Sequence, residues 1–134
     1  MIDKLAKGKL RWDCDAQGCF NKKKRPKIEV FGECFPGNIT MGDVDGIVEI
    51  NGYFIMLEWK PSINLSVGQK LMYQRISSVG FYVMVVVGDA ETMDVHFFSE
   101  FWNGKQCPFQ KADLAKVKAR MKKWVDYVRK QPRC

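Results

Sequence analysis

Asn51-Gly52 stands between two apolar runs, and no other feature of this 134-residue chain limits its folding as tightly. Both central residues of a two-residue hairpin turn need positive φ, which glycine adopts freely and asparagine tolerates. The pair therefore predicts antiparallel strands over 41–50 and 53–60. With Ile50 and Tyr53 flanking the turn, paired residue numbers sum to 103, so Asp45 faces Glu58 and Asp43 faces Lys60. Side chains alternate along a strand, which puts all four on one side of the hairpin. Directly opposed Cβ atoms lie about 4.5–5.5 Å apart.

The rest of the chain supplies partners for that hairpin. Ile28, Phe31, Cys34 and Phe35 recur at helical spacing after Pro26, predicting a short helix that ends at the turn signal 36–38. A second helix is expected from Ser66 as N-cap to Gly80, with Leu71, Met72 and Ile76 inward. Residues 81–87 form a continuous apolar run, the pattern of a central strand covered on both faces. Residues 93–102 alternate well enough for another strand, nearer an edge. The last element, about 113–130, places Leu114, Val117, Met121, Trp124, Val125 and Val128 on one stripe. The order α-β-β-α-β-β-α makes this an α/β protein, a mixed sheet flanked by helices. One domain is expected over 1–134, with its core at about 26–100, a basic N-terminal segment 1–25 and the amphipathic C-terminal helix.

Charge is unevenly spread. Residues 1–35 carry nine Lys/Arg against five Asp/Glu, residues 36–104 three against eight, and residues 105–134 ten against two. An acidic centre between basic ends suits a protein that grips a polyanion and holds a cation in the middle. Lys22, Lys23, Lys24, Arg25 and Lys27 are the densest basic run and the first candidates for phosphate contacts. No apolar run is long enough to span a membrane and the N-terminus lacks a signal-peptide core, which argues for the cytoplasm. The five cysteines read as free thiols in that setting. Cys14 and Cys19 could be two zinc ligands, but a four-ligand site is hard to complete when His96 is the sole histidine.

Chemistry concentrates at the open end of the hairpin. Asp45 and Glu58 held side by side repel each other unless a divalent cation sits between them, and hard carboxylate oxygens suit Mg²⁺, with Mn²⁺ able to substitute. Lys60, one step along the same face, can orient an attacking water or stabilise charge on a phosphate. Backbone at Leu57, Glu58 or Trp59 could assist. The set fits metal-assisted phosphodiester hydrolysis. Gln69, in the first turn of the following helix, could bond a metal-bound water or hold Lys60. Trp59 points away from this face into the core, and His96 reads as structural. Tyr73 and Gln74 are candidates for reaching DNA.

Asp45 followed by Glu58-Trp59-Lys60 resembles the D…(D/E)xK signature of the PD-(D/E)xK nuclease superfamily. Leu65-Ser66, Gln69, Gly80 and the strand Phe81–Val87 are similar to the segment after that motif in its VRR-NUC branch. The likeness spans roughly residues 26–88, and Asp45 follows Val44 where the signature has proline. It implies a restriction-endonuclease-like core, a Mg²⁺-dependent nuclease, and branched DNA substrates with a phage or mobile-element origin. It also implies a further acidic ligand upstream, for which Glu33, Glu29 and Asp43 are available. An exonuclease or RNA-directed enzyme on the same core, or a non-catalytic nucleic-acid-binding or inhibitor protein, is the alternative. Paired cuts would need a two-fold homodimer, joined through the C-terminal helix or the 93–102 strand.

Overall fold

A computed structural model describes residues 26–133, and the chain divides into two compact units, Met1–Asp43 and Val44–Cys134. In the first, the expected short helix is a 3-10 helix over Ile28–Cys34, with Glu29 and Gly32 buried.

The second unit is α/β, a five-stranded mixed sheet with two helices. Its elements are β1 (Gly46–Ile50), β2 (Tyr53–Lys60), α1 (Val67–Ser78), β3 (Tyr82–Asp89), β4 (Asp94–Trp102), β5 (Lys105–Lys111) and α2 (Leu114–Arg129). Strand order follows chain order, β1-β2-β3-β4-β5. Only the β2–β3 pair is parallel. A parallel pair cannot be joined by a tight turn, and α1 provides the crossover.

The hairpin ladder is the predicted one, from Ile50↔Tyr53 to Gly46↔Leu57, with Asn51 at φ 58° and Gly52 at φ 85°. β1 is shorter than expected, however. It begins at Gly46 rather than residue 41, so Asp43 and Asp45 both precede the ladder, and neither predicted pairing, Asp43 with Lys60 or Asp45 with Glu58, is part of the sheet.

β3 is the centre of the fold, with Val83, Met84, Val85 and Val86 all fully buried. Its alternate residues feed two cores. Met56, Val83, Val85, Phe101 and Tyr73 pack on the α1 side. Ile55, Tyr82, Met84, Val86, Phe98, Val117, Trp124 and Val128 pack on the α2 side, with Leu114, Met121 and Val125 at the margin. The α2 stripe is thus the one expected from sequence.

Two expectations change. The strand expected near an edge, β4, is internal, because a second Asn-Gly pair, Asn103 (φ 52°) and Gly104 (φ 79°), turns the chain into β5. Pro108 is accommodated in β5 because that strand is an edge. On α1, Leu71 and Met72 are exposed, and the inward positions are Tyr73 and Ser77 with Ile76 beside them. Ser77 is small enough to let the helix lie close to the sheet. Its hydroxyl donates to the Gln74 carbonyl at 2.8 Å and accepts the Gly104 N–H at 3.0 Å, tying α1 to the β4–β5 turn.

Candidate functional site

The site begins with the hairpin register. The ladder ends at Gly46↔Leu57, so Asp45 and Glu58 are each the next residue beyond the last pair, and a hydrogen bond ties Asp45 to the end of β2. Asp45 Oδ2 accepts the Trp59 backbone N–H at 2.6 Å. Asp45 is exposed, whereas Glu58 is only 4% exposed. Burying a carboxylate costs several kcal/mol unless charge or hydrogen bonds compensate it (roughly, by ion-transfer arguments).

The neighbours of the pair come from the α1 side. Lys60 ends β2 two residues beyond Glu58, on the same face, paired with Val87. Tyr73 reaches in from α1 and is 1% exposed, packed edge-on against Phe101 with ring centroids 5.4 Å apart. Its phenol is pushed well above its ordinary range, first by burial and then by the negative charges of Glu58 and Asp45. Tyr73 is therefore a buried neighbour of both carboxylates and not a surface contact for DNA. Sequence reasoning placed it wrongly, although one signal was available: Gln69, Tyr73 and Ser77 are spaced four apart and share a helix face.

Gln69 has a structural duty that the sequence reading did not assign. Its side-chain Oε1 accepts the Ser66 N–H at 3.1 Å, while its own N–H donates to Ser66 Oγ at 3.1 Å, a complete capping box. The side-chain Nε2 is the part of the amide not used in that box. Trp59 projects to the opposite face, as expected, and its Nε1 donates to the Gly88 carbonyl at 3.2 Å. Gly88 itself cannot be replaced cheaply, since a Cβ there would lie 2.0 Å from the Asp94 carbonyl oxygen at the bulge between β3 and β4. His96 is exposed on β4, where its backbone carbonyl accepts the Ala112 N–H.

The remaining candidates belong to the first unit or to residues outside those described. Glu29, Glu33 and Asp43 belong to the first unit, Glu29 buried and the other two exposed. Lys22, Lys23, Lys24, Arg25, Cys14 and Cys19 fall outside the described residues, and Lys27 is half-buried just before the 3-10 helix. Among the described residues no group of three or more His, Cys, Asp or Glu side chains is gathered as a metal cluster. The sheet unit supplies two carboxylates. That donor set fits Mg²⁺, which commonly takes one or two protein carboxylates and keeps several waters.

No protein-family model matches the chain, and neither does any curated protein or solved structure. Among the described residues, no helix is long and apolar enough to cross a membrane.

Proposed function

We propose that the protein is a Mg²⁺-dependent DNA endonuclease that hydrolyses phosphodiester bonds at Asp45, Glu58 and Lys60. The observation that supports this most is that Asp45, bound to the Trp59 backbone N–H just beyond the ladder, and Glu58 both act on the buried Tyr73, with Lys60 two residues beyond Glu58 on the same face of β2. A bound divalent cation would supply Lewis-acid stabilisation of phosphoryl charge and a nucleophilic water. Asp45 and Glu58 would hold it, with Mn²⁺ able to replace Mg²⁺. The Trp59 N–H keeps one Asp45 oxygen in place, and the carboxylate so held would be one of the two groups to bind the ion. Lys60 places an ammonium where charge develops on the phosphate or where the attacking water must be oriented. Gln69 acts more indirectly, by fixing the start of α1, which carries Tyr73 against the carboxylates.

The finer fold assignment belongs to the same proposal. A restriction-endonuclease-like core, as in small VRR-NUC proteins, is supported by a mixed sheet whose one parallel pair is bridged by α1 directly after the Glu58-Trp59-Lys60 segment. The proposed substrate is branched DNA, cut by a two-fold homodimer in the cytoplasm of a phage-infected or element-bearing cell. Because β4 is covered by β5, its edge is not open for pairing copies.

A nicking assay tests the reading. Purified protein is incubated with supercoiled plasmid, a four-way junction, a flap and linear duplex, each with Mg²⁺, Ca²⁺ or EDTA. The expected result is cleavage in Mg²⁺ only, with paired nicks near branches, and light scattering showing a dimer. Binding without cleavage in Mg²⁺ or Mn²⁺ would replace the enzyme with a nucleic-acid-binding protein. End-dependent degradation would make it an exonuclease.

A further inference from the structure

The face of the sheet opposite Glu58 carries a groove of about 430 Å³ between α2 and the ends of β3 and β4. Tyr82 and Trp124 form its floor, stacked with ring centroids 6.4 Å apart. Trp102 and Tyr127 stand at its rim and are 44% and 53% exposed. Aromatic rings held this far into water on the two sides of one groove are surfaces on which another planar group can stack.

The charges around the groove are sorted. Glu100 is 13% exposed at its side chain and spends its charge internally, accepting from Tyr82 Oη at 2.6 Å and pairing with Arg120 Nε at 2.5 Å. Lys123 lines the groove, and Lys105 lies directly opposite Trp102 in the β4–β5 ladder, so it projects to the same face. These two cations are turned outward, in a segment where residues 105–134 carry ten Lys/Arg against two Asp/Glu. Stackable rings flanked by lysines match a ligand that alternates flat aromatic groups with anionic linkers. Single-stranded nucleic acid has that chemistry. An acidic peptide would use the lysines and leave the rings idle, and duplex DNA has its base faces already stacked.

We propose that this groove binds single-stranded DNA, stacking bases on Trp102 and Tyr127 and seating phosphates on Lys105 and Lys123. The groove and the carboxylates are on opposite faces of the sheet, so the strand held here is not the strand being cut. Resting on the nuclease reading, the bound strand is the unpaired arm of a branched substrate. Binding itself does not need the carboxylates.

The test is fluorescence anisotropy of the full chain in EDTA, with a labelled thymidine oligomer of about twelve nucleotides, within the usual site size, and a blunt duplex of matching length. Combined Trp102→Ala and Tyr127→Ala should weaken oligomer binding about tenfold or more, the loss of one to two stacked bases, while duplex affinity holds. Trp102→Phe should restore most of what Trp102→Ala loses. Combined Lys105→Gln and Lys123→Gln should lower the salt dependence by about two released counterions. Thermal melts and circular dichroism check that each variant is folded. Wild-type protein that ignores the oligomer, or a double aromatic variant with full affinity, would overturn the proposal, as would an equal loss on duplex. Glu58→Ala should keep its oligomer affinity. Oligomer binding by a protein that nicks nothing would sink the nuclease reading and leave this groove standing.

Discussion

Glu58 and Glu100 are carboxylates on opposite faces of one sheet, and they are treated in opposite ways. Glu100 is matched by Arg120 and by the Tyr82 hydroxyl, in a half-buried network between the sheet and α2. Glu58 is more deeply buried, and the acid that shares its surroundings is Asp45, bound to the backbone N–H of the next residue, Trp59. Acids gathered beside a buried phenol, as Glu58 and Asp45 are beside Tyr73, mark the kind of place where binding and catalysis concentrate. The difference teaches that Glu100 serves the packing between the sheet and α2, whereas the Asp45–Glu58 end is where the proposed chemistry would sit.

The largest expected effect separates these two roles. Asp45→Asn and Glu58→Gln each remove a charge while keeping shape, and plasmid nicking should fall by on the order of 10³-fold. Circular dichroism should show an intact fold. Undiminished turnover by Glu58→Gln would erase the contrast between the faces. Lys60→Ala comes next, with a rate loss of about 10²-fold and a much smaller change in the Mg²⁺ concentration needed for half-maximal rate. A variant whose defect vanished at high Mg²⁺ would make Lys60 part of ion binding instead.

The scaffold face should answer in stability. Glu100→Gln leaves Arg120 without its counter-charge and should cost roughly 1–2 kcal/mol, less than a fully buried pair because Arg120 is 39% exposed. Urea denaturation measures it, and an unchanged midpoint would show the pair to be idle. The phenols give a related test. Tyr73 and Tyr82 are both held above their ordinary value of 10.0, Tyr73 by burial and the nearby carboxylates, Tyr82 by burial and its bond to Glu100. In the unfolded chain they lose protons above about pH 10 while the folded chain keeps them, so the unfolded state gains. Stability from these groups is complete below pH 10 and should then decline by about 1.4 kcal/mol per pH unit for each phenol. Tyr82→Phe should flatten that decline by half. A slope indifferent to the substitution would place the alkaline loss elsewhere.

The smallest effect concerns Gln69. Gln69→Ala should lose about 1 kcal/mol from the broken capping box and only a few-fold in rate. Gln69→Glu preserves the box, because glutamate serves equally well at that position. Recovery of both stability and rate in Gln69→Glu would assign the residue to the helix start. Recovery of stability alone would give its Nε2 a part in the chemistry.

Sequence carried the hairpin, its register and the α2 stripe because each rests on a local rule. Asn51-Gly52 permits one turn, a two-residue turn permits one register, and six apolar residues of α2 recur on one side. It carried less of α1, where Leu71 and Met72 are as apolar as the residues that turn inward. What selects Tyr73 and Ser77 is the sheet beneath them, a long-range contact absent from helical spacing. The start of β1 was overread because Met41 and Val44 look like strand residues, although both are exposed ahead of the ladder. β5 was missed despite Asn103-Gly104, since Pro108 and a polar sequence hide an edge strand. At the site, the register brought Asp45 and Glu58 to the same end of the hairpin, although their pairing lies outside the ladder, whereas the Gln69 cap and the buried Tyr73 required three-dimensional packing.

Asn51 does more than turn the chain. Its side-chain amide donates to the carbonyls of Val128 at 3.1 Å and Gln131 at 2.8 Å, and Tyr53 Oη donates to the Pro132 carbonyl at 3.1 Å. The turn that sets the β1–β2 register is thereby fastened to residues 77 and 80 positions later. At a synthesis rate of about 5–20 residues per second, that delay is roughly 4–16 s on the ribosome. The hairpin emerges well before its latch is made. A nascent chain or a ribosome-stalled fragment that stops short of Val128 would carry both carboxylates without the fastening that holds their turn, so the turn is secured only once residues 128–132 have been added.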